Sequence, residues 1–136
     1  MNQKRVLITG ASRGIGAAIA YCLCQKGYRV IGTSRHPESI EKPLEGVEYI
    51  QLDLNDQNSV DAALNRVGDI DILINNAGQS HLGAAEEYPL ELTRALFETN
   101  FFGPLRLIQG LLPGMRQRRK GFILNIEPNI ACDSER

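Results

Sequence analysis

Five short, continuous apolar runs recur along this chain, and most are separated by segments of helical periodicity. The runs are "RVLIT" (residues 5–9), "YRVIGTS" (28–34), "VEYIQL" (47–52), "DILIN" (71–75) and "GFILNI" (121–126). A strand with one wet face alternates apolar and polar residues, whereas these runs stay apolar, as strands covered on both faces do. After the first run, Ile15, Ala18, Ile19, Cys22 and Leu23 recur at helical spacing, and Gly27 closes that helix. Residues 55–67 begin with capping residues and bring Val60, Ala63, Leu64 and Val67 to one face. Residues 89–120 are helical in composition, with Pro104 and Pro113 expected to kink or divide them. Only a polar loop, holding Pro37 and Pro43, joins the second run to the third.

Strands alternating with helices predict an α/β fold, a parallel sheet covered on both faces. Right-handed crossovers favour a doubly wound, Rossmann-like sheet of about five strands in the order 3-2-1-4-5. In that order a ligand crevice opens at the carboxyl ends of strands one and four. The 136 residues suit one domain. A formal net charge of -1 argues against a nucleic-acid or membrane-surface protein. No apolar run approaches the roughly 20 residues of a membrane helix. The N-terminus lacks the apolar core of a signal peptide, so a cytoplasmic protein is expected. Of the three cysteines, Cys22 and Cys24 are two apart on a helix and Cys132 stands alone. With no Cys-x-x-Cys or Cys/His cluster, no metal is expected, and the thiols read as buried or idle.

The sharpest motif is "TGASRGIG", residues 9–16, which leaves the first strand and opens the first helix. Gly10 permits the turn, Gly14 lets backbone approach a phosphate, and Gly16 lets the helix pack on the sheet. The helix start offers unpaired N–H groups to an anion, and Thr9 and Ser12 add hydroxyls. A purely structural strand-to-helix turn has the same ingredients. The spacing is G-x-x-x-G-x-G rather than the commoner G-x-G-x-x-G.

That variant and three later motifs resemble the short-chain dehydrogenase/reductase family. "LDLND" (52–56) is similar to its strand-three end, "NNAG" (75–78) to the motif closing strand four, and "ETNFFGPL" (98–105) to its asparagine-bearing helix. The resemblance spans residues 5 to 126 and implies a dinucleotide-binding domain over 1–126, followed by a divergent polar tail, 127–136. It places the cofactor against Thr9, Gly10, Ser12, Arg13, Gly14, Ile15 and Gly16, with Asp53 and Leu54 near the adenine. Asn75, Ala77 and Gly78 border it at strand four. The Asn75 amide could bridge backbone groups there or simply tie strands together. Asn100 takes the place of the catalytic asparagine. The alternative is a tolerated polar residue at a kink, although asparagine is a poor helix former.

Cofactor choice follows from strand two. An acid there would bind the 2′-hydroxyl of NAD, but this chain reads "GTSRH", with Ser34 and Arg35. Arg35, with Arg13, can pair with a 2′-phosphate, so NADP is expected over NAD. His81 reads as an incidental loop histidine. "RQRRK" (116–120) reads as cations favourably placed at a helix C-terminus.

The family transfers a hydride between the cofactor and a carbonyl/alcohol pair, using a serine, a tyrosine, a lysine four residues after it, and an asparagine. A phenol needs a nearby cation to act as a base near neutrality. This chain contains no Tyr-x-x-x-Lys. Glu127 and Pro128 stand at the serine positions, and Ser134 is at the wrong spacing. Only Asn100 fills a catalytic role, so no useful turnover is expected from this chain alone. The ending resembles a truncated or frameshifted product, with relatives expected to run roughly a hundred residues longer. An open edge at strand five and apolar surface on the last helix are then expected to invite self-association. Three readings stay open: a reductase's cofactor-binding part, a non-catalytic binding or interaction module, and a defective product.

Overall fold

Val6, Leu7 and Ile8 are almost completely withdrawn from solvent, because helices cover both faces of the strand that carries them. The computed structural model describes residues 3–80 and 83–127. The chain runs β1 (Arg5–Ile8), α1 (Gly14–Gln25), β2 (Arg29–Ser34), β3 (Val47–Gln51), α2 (Gln57–Val67) and β4 (Ile72–Asn75). It continues through α3 (Leu90–Phe97), α4 (Gly103–Arg118) and β5 (Phe122–Asn125). All pairings are parallel, in the order β3-β2-β1-β4-β5. This is the Rossmann-like α/β arrangement expected from the sequence. Leu7 is in register with Ile31 on one side and Leu73 on the other.

Alternation along the strands sorts the core into two layers. Leu7, Ile31, Ile50 and Leu73 meet Val60, Ala63 and Val67 of α2 and Leu107, Leu111 and Met115 of α4. Val6, Ile8, Val30 and Ile74 meet Ala20 of α1, with Ile19 and Leu23 alongside. Local chemistry sets the ends of the helices. The Asp56 side chain accepts from the Asn58 N–H at 2.9 Å to cap α2. Gly27, at φ +86°, lets the Tyr28 N–H return to the Leu23 carbonyl and stop α1.

The long helical stretch is divided at one of its two prolines. Residues Glu98–Phe102 form a π turn, in which the Gly103 N–H reaches back five residues to the Glu98 carbonyl. Pro104 follows the π turn by one residue, so the division lies just before this proline. Pro113 lies inside α4 without ending it. Pro113 and Gln109, whose carbonyl it leaves unbonded, are both exposed. The basic run is also more than a dipole effect: Arg118 donates to Asp69 Oδ1 at 2.9 Å and to the Ile70 carbonyl at 3.1 Å, pinning α4 to the turn before β4.

β5 forms one edge of the sheet and leaves Phe122 and Leu124 exposed. Phe97, Phe101, Leu105 and Leu112 are exposed along the helical stretch. Among the described residues no helix is long and apolar enough to cross a membrane. No group of three potential metal ligands occurs among them either. Cys22 and Cys24 are free thiols, and burial pushes the Cys24 thiol up, which makes it less reactive. His81, Cys132, Ser134 and the tail from Pro128 onward lie outside the described residues.

Candidate functional site

The glycine loop turns out of β1 and starts α1. Gly10 and Gly14 hold φ of +65° and +59°, the left-handed region that favours glycine. A Cβ on Gly16 would overlap the Gly10 carbonyl oxygen and the Asn76 amide, so α1 can approach the loop this closely only with glycine there. Arg13 occupies the N-cap with no side-chain bond, leaving the first N–H groups of α1 without a helical or capping partner.

Residues after β4 lock this loop in place. Thr9 Oγ1 accepts from the Asn76 N–H at 3.0 Å and the Ala77 N–H at 2.9 Å. Asn76 Nδ2 donates to the Thr9 and Gly10 carbonyls at 3.3 and 3.2 Å. One sequence expectation changes here, and of the two roles open to Asn75 the strand tie is the one observed. The Thr9 hydroxyl was expected to face an anion, but it is buried and committed to the β4 loop. The amide that bridges backbone groups is Asn76 rather than Asn75. Asn75 instead donates from Nδ2 to Asn125 Oδ1 at 2.8 Å, tying β4 to β5. Its Oδ1 is buried with no partner among the described residues.

A cleft of about 1080 Å³ opens at the carboxyl ends of the central strands. It brings together Gly10, Ser12, Arg13, Gly14 and Ile15 from the loop, Ser34 and Arg35 from β2, and Asp53 and Leu54 beyond β3. Ala77 and Gly78 close it at β4. Thr9, Gly16, Asn75 and Asn100 are not among its walls; the first two shape it from behind. Asp53 Oδ1 accepts from the Asn55 N–H at 3.0 Å, and its own N–H donates to Ser59 Oγ at 2.9 Å, which fixes the turn. Ser34 Oγ accepts from the His36 N–H at 3.2 Å. Arg13 and Arg35 are exposed and enter no ion pair among the described residues.

Sequence reasoning missed several walls. The β2–β3 loop folds over the cleft and contributes Ser39, Ile40, Glu41 and Lys42. Its shape rests on the Leu44 N–H donating to Tyr49 Oη at 2.9 Å, which no periodicity announces. Thr99, in the π turn, also reaches the cleft. Its hydroxyl is 3.1 Å from Asn55 Oδ1. Arg106 holds the same corner, pairing with Glu98 at 3.0 Å and donating to the Leu54 carbonyl at 3.2 Å.

A second cleft of about 580 Å³ shares Ala77 and Gly78 with the first and contains Asn75, Asn100, Asn125 and Glu127. Asn100 has a specific job: its Oδ1 accepts from the Gln79 N–H at 2.8 Å and its Nδ2 donates to the Gln79 carbonyl at 2.6 Å. Both ends of the amide hold the segment after β4 against the π turn.

The residues of the larger cleft fit a dinucleotide. A glycine cradle closed to any Cβ at Gly16, free N–H groups on a 12-residue helix and two unpaired guanidiniums suit phosphates.

Known proteins agree with this geometry. The family profile described as "short chain dehydrogenase" matches residues 4–134. A 3-ketodihydrosphingosine reductase from Bacteroides thetaiotaomicron is 39% identical over 127 residues, covering 93% of this chain and 47% of that protein. Retinol dehydrogenase 8 of Homo sapiens is 37% identical over 135 residues, covering 90% of this chain and 43% of that protein. Among solved structures, a short-chain dehydrogenase from Streptomyces avermitilis superposes with a TM-score of 0.85 at 40% identity, over 93% of this chain and 49% of that one. The chain spans about half the length of the relatives it matches.

Proposed function

The chain belongs to the short-chain dehydrogenase family of oxidoreductases, and from that membership we propose that it binds NADP(H) for hydride transfer between a carbonyl and an alcohol. Membership brings a nicotinamide dinucleotide and a substrate; the preference for NADP is the proposal. Residues 1–126 act as the dinucleotide-binding domain. The bound cofactor would supply the hydride. The chain's own residues bind and orient it. N–H groups at the start of α1 face the phosphates, Asp53 and Leu54 border the adenine, and Ala77 and Gly78 keep bulk away from the ribose. Asn100, through Gln79, positions the segment that carries those two small residues.

One observation carries the cofactor preference. Arg13 and Arg35 line the cleft without ionic partners among the described residues, Lys42 joins them, and β2 ends in serine rather than an acid. A 2′-phosphate would find charge-assisted donors there, set against one carboxylate on the same loop wall, Glu41. We further propose that this chain gives no useful turnover alone, because it contains no Tyr-x-x-x-Lys and holds Glu127 where the resemblance expects serine.

Calorimetric titration with NADPH and NADH, followed by turnover assays on a carbonyl panel, tests the reading. NADPH should bind about tenfold tighter, and Arg35→Asp should erase that preference, as loss of one charge-assisted bond implies. An unchanged ratio in the variant contradicts the cofactor proposal, and sustained NADPH oxidation contradicts the proposed lack of turnover.

A second reading, a binding or interaction module, draws support from the apolar surface of the β5 edge and α4. Such a module would bind NADPH tightly, show no turnover, and self-associate through that surface.

A further inference from the structure

The β2–β3 loop holds its wall of the larger cleft on few bonds. A single 3₁₀ turn, Pro37–Ser39, closes with the Ile40 N–H donating to the Pro37 carbonyl at 3.4 Å. The next fixed point is Leu44, whose N–H donates to Tyr49 Oη at 2.9 Å. Between the two, no hydrogen bond or ion pair among the described residues falls on Glu41, Lys42 or Pro43. Glu41 and Lys42 nevertheless both line the cleft. The Leu44 side chain packs against the apolar layer of Val6, Ile8 and Val30, so this end of the loop is seated on the core. Tyr49 belongs to β3 and stands opposite Gly32 of β2. A Cβ on Gly32 would lie 3.4 Å from Tyr49 Cδ1, so the ring rests close against the β2 backbone while its hydroxyl reaches the loop.

Glu41 and Lys42 are neighbours of opposite charge. In an irregular segment, a shift by one residue along the cleft exchanges an ammonium for a carboxylate. The placement of the loop therefore decides which charge an anionic ligand meets, and a like charge there is repulsive. We propose that Tyr49 is a positioning residue for cofactor choice: its hydroxyl, through Leu44, holds the loop in the placement that gives the Lys42 ammonium, rather than the Glu41 carboxylate, to the 2′-phosphate. The proposal rests on reading the larger cleft as an NADP site. It adds the residue that keeps the loop wall selective.

The test uses the full chain and two probes that differ only in the 2′-phosphate, adenosine 2′,5′-bisphosphate and adenosine 5′-monophosphate, titrated calorimetrically. The parent chain should favour the bisphosphate about tenfold. Lys42→Ala, at an exposed site, should cut that preference about threefold, the share of one exposed charge among three. Tyr49→Phe keeps the ring and should cut the preference about as much, leaving the monophosphate within about twofold of the parent. The double variant should lose no more than either single change, because both act on one contact. Without ligand, hydrogen exchange at the Leu44 amide should quicken in Tyr49→Phe and stay at the parent rate in Lys42→Ala. Equal weakening of both probes by Tyr49→Phe would make the tyrosine merely structural and overturn the proposal. Losses that add in the double variant, or unchanged Leu44 exchange in Tyr49→Phe, would also overturn it. A preference that survives Lys42→Ala overturns it too, even where Tyr49→Phe fails to fold. A bisphosphate preference that Arg35→Asp erases and both loop variants leave intact removes this inference and keeps the proposed function. A parent chain that binds the two probes alike removes the proposed NADP preference and this inference together.

Discussion

β1 and β5 are each four residues long, lie parallel in one sheet and carry three apolar residues apiece. Their surroundings differ. Val6, Leu7 and Ile8 of β1 are at most 1% exposed, whereas Phe122 and Leu124 of β5 are 58% and 40% exposed. β1 has a paired strand on either side and helices above and below; among the described residues β5 has β4 as its one paired strand and packs on the core through Ile123. An apolar run therefore announces a strand, and the number of elements packed against it decides what that strand contributes to stability. The clefts divide the same way. The one beyond β1 is held by hydrogen bonds around the buried Thr9, and the one beyond β5 is walled largely by side chains that solvent still reaches.

The sharpest way to break that contrast is to remove apolar volume on each side of it. Leu107→Ala, in the layer beneath β1, should cost about 2–5 kcal/mol, because the fully buried leucine leaves a cavity. Phe122→Ser on β5 should change stability by less than about 0.5 kcal/mol, because little burial is lost. Urea unfolding of both variants measures the gap, and equal losses would show that β5 is covered in solution.

A smaller effect tests the hydrogen-bonded cleft. Thr9→Val keeps the shape but strips the Asn76 and Ala77 N–H groups of their acceptor, at a cost of about 2 kcal/mol. NADPH affinity should fall with it, since Ala77 and Gly78 lose their anchor. A stability loss with unchanged NADPH affinity would separate the anchor from the cleft.

Asn100→Ala gives the smallest change, about 1 kcal/mol, because the Gln79 groups it releases are exposed and water can replace the amide. Faster hydrogen exchange at the Gln79 amide is the readout. Protection equal to the parent protein's would show that the π turn holds the segment without the amide.

The strand runs, their order and the glycine loop were legible in the sequence, since each rests on local composition or on spacing within a few residues. Gly10 holds a positive φ, as its place in a tight turn suggested; Gly14 also does, where only close approach to a phosphate was expected. What escaped depends on distant partners. Asn75 and Asn76 are neighbours with identical side chains, and only the course of the chain after β4 decides which amide faces Thr9 and which faces Asn125. The Thr9 hydroxyl seemed available to a ligand until the β4 loop claimed it. Lys42 reaches the larger cleft because Tyr49 hooks the loop from below, and nothing periodic marks that loop. The break in the long helix was expected at the prolines. A polar Asn100 just before Phe101 and Phe102 was the better clue, because a residue that disfavours helix is retained where its side chain is engaged elsewhere.

The π turn also constrains how this chain can change its length. Each residue of an α-helix advances the direction by about 100°, so one residue more or fewer rotates everything beyond it by that angle. Residues Glu98–Phe102 hold one residue more than α pitch would use over the same rise. Within it, Thr99 faces one cleft and its neighbour Asn100 faces the other. A single-residue deletion in this stretch would yield a smoother helix with better local geometry. It would also swing α3 away from its seat and part Asn100 from Gln79. Substitutions in this segment can be absorbed one side chain at a time, but a change in its length alters both clefts at once.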